Sequence, residues 1–186
     1  MTAALRSPFM RSPFMKWGLV ALIQLALVAL PLTERLRVHA TGTEVTLALA
    51  PIDPRDLLRG DYVILNPQIN VVEAGDLADS VYQDDPVWAV LEADEEGIHR
   101  AVALRDAAPE DGRLAIRGRV RGHRAGQSLA VDYGLDAFFV PEGQGLDIER
   151  MPRDRVRLVV AVSAGGAAAP LRLMADGKVL LQDSAF

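Results

Sequence analysis

The chain has no cysteine, which removes disulfides, thiolate metal sites and cysteine nucleophiles together. Histidine is nearly as scarce. His39, His99 and His123 lie far apart, a poor start for a multi-histidine metal centre. Aromatic residues make up 5%, too few for the exposed aromatic platforms of a sugar groove, and one of the two tryptophans sits in the N-terminal apolar run. Lysine is almost missing: of 20 basic residues only Lys16 and Lys178 are lysines, an arginine bias typical of GC-rich bacterial coding. Positive charge is also in deficit. The net charge of -5 argues against a nucleic-acid partner. There is no GxGxxG and no Walker loop, so no cofactor is expected. What remains is 50% hydrophobic residues in 186, enough for one domain with a real core and too apolar for disorder.

The N-terminus reads as a membrane device. Residues 1–16 carry Arg6, Arg11 and Lys16 and no acid, and the block RSPFM at Arg6–Met10 is repeated at Arg11–Met15. So short a period belongs to no repeat fold. From Trp17 to Leu32 the sequence WGLVALIQLALVALPL has no formal charge. As a helix it spans roughly 24 Å, and Lys16 can snorkel to the headgroups at its start. A buried soluble helix would show a polar stripe, and Gln24 alone does not make one. A cleaved signal peptide would need a small-x-small site near residues 30–34, where Leu30, Pro31, Leu32, Thr33 and Glu34 stand instead. The expected organisation is a cytoplasmic basic tail at 1–16, an uncleaved transmembrane signal-anchor at 17–34, and a β-rich domain at 35–186. The basic excess before the span over Arg35 and Arg37 after it is one charge, and it places the domain outside the cytoplasm. The lipid bilayer is then a partner through residues 17–34, in the bacterial cytoplasmic membrane.

After Arg35 the period changes to that of strands. Val45–Leu49, Val87–Ala93, Ile98–Arg105, Leu114–Val120, Leu129–Tyr133, Val156–Ser163, Leu171–Ala175 and Lys178–Gln182 are short alternating or β-branched runs divided by turn residues. Asp176-Gly177 alone separates the last two, which predicts a type I′ hairpin. The fold class is mostly β, an antiparallel sandwich or barrel-like domain behind one N-terminal helix.

Two clusters stand out. In Pro51–Leu65, Asp53 fits an N-cap, Pro54 the first helical position, Asp56 the first turn, and Gly60 the stop before a strand that begins near Tyr62. The same residues, with Arg55, Arg59 and Asp61, also make a charged binding surface. Asp61 has no capping role and is the best candidate for a partner contact. In Tyr133–Glu149, adjacent Phe138 and Phe139 point to opposite faces of a strand, and Pro141-Glu142-Gly143 forms an acidic turn. Asp136, Glu142, Asp147 and Glu149 supply carboxylates but lack the spacing of a calcium loop, so no metal is expected. Arg113, Arg117, Arg119 and Arg121 share strand parity and would line one face, paired with acids across strands or set against anionic lipid.

At these clusters the sequence resembles the bacterial GDYXXLXY protein family. The likeness runs through Asp53-Pro54-Arg55-Asp56, Gly60-Asp61-Tyr62, Leu65, Tyr133-Gly134 and Phe139-Val140-Pro141-Glu142-Gly143. Pro67 replaces the last tyrosine of the family pattern. The resemblance implies a membrane-anchored protein and a multi-pass membrane protein as partner, and it transfers no catalytic residue. Arg55, Arg59, Asp61, Tyr62, Tyr133 and Glu142 are the candidate binding residues; Asp53, Pro54, Asp56, Gly60, Pro141 and Gly143 are the candidate structural ones. Two functions compete: a non-enzymatic binding or assembly module, and a carboxylate-dependent hydrolase of a cell-envelope carbohydrate. The second needs two carboxyl groups converging in a groove.

Overall fold

The computed structural model describes residues 13–50, 62–139 and 151–183. The candidate residues Asp53, Pro54, Arg55, Asp56, Arg59, Gly60, Asp61, Pro141, Glu142 and Gly143 therefore lie outside the described residues, and so does the short helix expected between Asp53 and Gly60. The chain divides into two units, residues 1–36 and 37–186.

Helix α1 (Pro13–Thr41) is longer than the expected 17–34 segment and continues through Pro31. From Lys16 to Thr41 it is long and apolar enough to cross a membrane. Leu22, Leu25, Leu27 and Leu30 along it are all exposed. The extra length at its C-terminal end has a local cause. Val38 is buried against Ala161 and Ala169, so the last turn is part of the body's own packing. The Gly42 amide then bonds the Val38 carbonyl at 2.9 Å and closes the helix.

All eight expected strands form. In chain order the strands are β1 (Thr43–Ala48), β2 (Tyr62–Ile64), β3 (Val71–Glu73), β4 (Pro86–Ala93), β5 (Ile98–Arg105), β6 (Ala115–His123), β7 (Ser128–Asp132), β8 (Ala137–Phe139), β9 (Val156–Val162), β10 (Ala168–Ala175) and β11 (Lys178–Gln182). Nine of them make one sheet in the order β11-β10-β9-β1-β5-β4-β6-β7-β3, and β2 with β8 makes a separate ribbon. The pairing is antiparallel except between β1 and β5, which run parallel. β3 went unmarked in the sequence because three residues are too few to show a period.

The sheet curls on itself. β3, at one end of the strand order, touches β5 in the middle. The turn between β9 and β10 reaches β6, where the Arg117 amide donates to the Gly166 carbonyl at 2.8 Å. A side chain at Gly166 has no room: φ is +86°, and an added Cβ would stand 2.9 Å from the Arg117 nitrogen. The curl encloses one core that includes Leu47, Leu49, Leu65, Ile116, Leu129, Phe138, Leu158 and Leu173. Each such side chain contributes about 1.5–3 kcal/mol on burial. β9 is buried on both faces, because Val38 and Ala169 cover the side turned away from this core.

Candidate functional site

The ribbon of β2 and β8 positions what the sequence singled out. Its register pairs Tyr62 with Phe139, Val63 with Phe138 and Ile64 with Ala137. Phe138 is buried in the core. The Leu65 amide donates to the Asp136 carbonyl at 2.8 Å, and Leu49 bridges Pro67, so the ribbon is held at β1 as well. Pro67 sits where the family pattern has tyrosine. Having no amide to donate, it starts a one-turn 3-10 helix at Gln68–Asn70 through its carbonyl, which accepts the Asn70 amide at 2.9 Å.

Beside this ribbon lies an open groove of about 430 Å³. Ile64, Leu65, Val71, Ala130 and Val131 form its apolar part. Its polar part is Asn66, Asn70, Arg121, Arg124, Asp132 and Asp136. Strand parity explains the arginines. Arg117, Arg119 and Arg121 alternate with buried residues on β6 and all point to solvent, as expected. Arg113 precedes the strand and pairs with Glu92 at 2.6 Å, so the arginine row is three residues on β6 rather than four. A bulge between Val120 and Gly122 breaks the register with β7 there. The bulge sets Arg121 over the end of β7 rather than along it.

Arg121 holds two carboxylates with one nitrogen. Its Nη2 is 2.6 Å from Asp132 Oδ2 and 3.2 Å from Asp136 Oδ2. Asp132 also accepts the Gly134 amide at 2.9 Å. Burial raises the Asp132 carboxyl, but the Gly134 amide and the Arg121 guanidinium outweigh it and hold the group below the usual carboxylate range. Asp132 is thus an anion at neutral pH. Arg124, whose amide donates to the Ser128 carbonyl at the end of β7 opposite Asp132, has no ion-pair partner among the described residues. Asn70 donates to Asn66 Oδ1 at 3.3 Å, which leaves the Asn66 amide nitrogen for another acceptor.

Tyr133 is only 8% exposed, and its ring lies against Gly118, where an added Cβ would stand 2.8 Å from Tyr133 Cδ1. Its hydroxyl is buried without a hydrogen-bond partner among the described residues, and burial pushes the phenol above its ordinary value. Of the candidate binding residues, Tyr62 and Tyr133 are thus placed by the fold, one on the ribbon and one in the core. The structure adds Arg121, Arg124, Asp132, Asn66 and Asn70, which the sequence reading did not connect. Their only sequence signal was the arginine parity and the carboxylate at Asp136. Among the described residues no three His, Asp or Glu side chains gather in a way that would hold a metal ion.

Comparisons with curated proteins and with solved structures each find no match. A family model described as GDYXXLXY protein matches residues 24–173, from within α1 to within β10 and across both sides of the groove. The motif at Gly60-Asp61-Tyr62, the length of that match and the strand pairing of Tyr62 with Phe139 agree, and the chain belongs to the GDYXXLXY protein family.

Proposed function

We propose that this protein is a membrane-anchored binding module, held by α1 as an uncleaved signal-anchor with its β domain outside the bacterial cytoplasm. Its binding surface is the groove beside the β2–β8 ribbon, and the partner implied by the family resemblance is a multi-pass membrane protein. The observation that carries the binding reading over the hydrolytic one is the arrangement at Arg121. A glycosidase pair needs one carboxylic acid that keeps its proton near neutral pH. The pair in this groove shares an arginine, and Asp132 is driven the other way, toward the anion. An arginine shared between two carboxyl groups suits the recognition of charge.

Cross-linking of the full chain in native membranes tests this. The wild-type protein should give a discrete adduct, and the charge swaps Arg124→Glu and Asp136→Lys should each reduce it. An adduct unchanged by both swaps would remove the groove from the reading. Release of soluble sugar from cell-envelope glycan by the wild type, lost in Asp136→Asn, would establish the hydrolase instead.

A further inference from the structure

The groove has two charged poles that do not cancel locally. At one, Asp132 and Asp136 share a single arginine, which leaves one negative charge in excess. At the other, the Arg124 guanidinium has no ion-pair partner among the described residues. Between and beside them run apolar Ile64 and Val71, the latter 53% exposed. A purely anionic ligand would meet the excess at the aspartates, and a purely cationic one would meet Arg124. A ligand carrying both signs satisfies both poles and buries its apolar part against Ile64 and Val71.

We propose that the groove takes a small zwitterion, an amino acid or short peptide with a free amine and a free carboxylate and an apolar side chain. The carboxylate pairs with Arg124, which can grip it with two parallel N–H donors, and Asn66 offers a further donor. The amine pairs with Asp136 and Asp132, supplying the second cation that these two carboxylates lack. The cavity of about 430 Å³ falls in the range of roughly 300–1,000 Å³ that small-molecule sites occupy. This inference rests on the groove being the binding surface, and it adds a small ligand that would compete with the membrane partner there.

The test uses the full chain in neutral detergent and four forms of one dipeptide, Leu-Leu: free, N-acetylated, C-terminally amidated, and capped at both ends. Calorimetric titration should rank the free dipeptide tightest, with each single cap about five- to tenfold weaker. In Arg124→Gln the difference between acid and amide should vanish while that between amine and acetyl persists. In Asp136→Asn the reverse should hold. Equal affinity for all four forms, still sensitive to the groove variants, would overturn the zwitterion and leave the groove as the binding surface. Affinities that ignore both variants would overturn both. Silence with every form at millimolar concentration would overturn the zwitterion, and the cross-linking experiment would then judge the groove alone.

Discussion

Tyr62 and Phe139 face each other as register partners in the β2–β8 ribbon. Because the ribbon is antiparallel, the chain arriving at Tyr62 and the chain leaving Phe139 do so from the same end. The described ends of the two family-pattern stretches, Tyr62 and Phe139, are thus neighbours though far apart in sequence. Loosening either strand should be felt by both. Ile64→Ala, on the groove side, is expected to weaken Leu-Leu binding several-fold with a stability loss below that of a core truncation, about 2–5 kcal/mol. Melting temperature and titration on the same sample check it.

Tyr133→Phe should stabilise the protein. The hydroxyl is buried with no partner among the described residues, so it carries a desolvation cost that phenylalanine does not. The expected gain is about 1 kcal/mol, read as a higher midpoint in denaturant with unchanged slope.

Gly118→Ala should do the opposite. An added Cβ would lie 2.4 Å from Val131 Cγ1 and 2.8 Å from the Asp132 carbonyl oxygen, so β6 and β7 must separate. A loss of about 1–3 kcal/mol follows from overpacking. A shift of Asp132 would show as weaker ligand binding in the same variant.

The pH dependence has a definite sign. Asp132 has a folded pKa below its unfolded one, as have Glu44, held down first by its Arg172 hydrogen bond, and Asp176, held down first by that of Arg155. Such groups add stability that is present above the unfolded value, about 3.9–4.3, and lost as pH falls through the folded values. Thermal midpoints should therefore be flat from pH 7 to about 5 and drop below about 4. The drop should be smaller in Asp132→Asn. Solvent screens the Glu44 and Asp176 pairs strongly, so the partly buried Asp132 should carry most of the drop.

The hairpin between β10 and β11 gives a test of local strain. Asp176 and Gly177 have φ of 50° and 77°, as the Asp-Gly signature predicts for a type I′ turn. Asp176 also receives the Arg155 guanidinium on both carboxylate oxygens. Asp176→Asn keeps the left-handed tolerance and loses only an exposed ion pair, so its midpoint should move little. Asp176→Val loses both and should melt clearly lower, because a β-branched residue resists positive φ.

Alternation and turn chemistry made the large strands legible, since each of β4, β6 and β9 has a buried face and lies between turns that carry Gly or Asp. The exit of α1 was less so. Val38 reads as one more apolar residue after the span, and only the packing of Ala161 and Ala169 shows why the helix runs on. The parallel contact of β1 with β5 left no local trace, because it depends on which neighbours a strand finds. The groove was the hardest to foresee. Arg121, Asp132 and Asp136 converge through a bulge in β6, and a bulge is a feature of pairing that one strand alone does not announce.

The position of β1 has a consequence for how the protein is made. β1 is the first strand after the helix, yet its neighbours are β5 and β9, and β9 arrives only near the end of the chain. An emerging chain must therefore keep Val45, destined for the core and paired with Val160 of β9, without that partner while most of the domain is still being synthesised. Shortening the chain before Val156 should thus yield a species that aggregates or is degraded, and not a smaller folded domain.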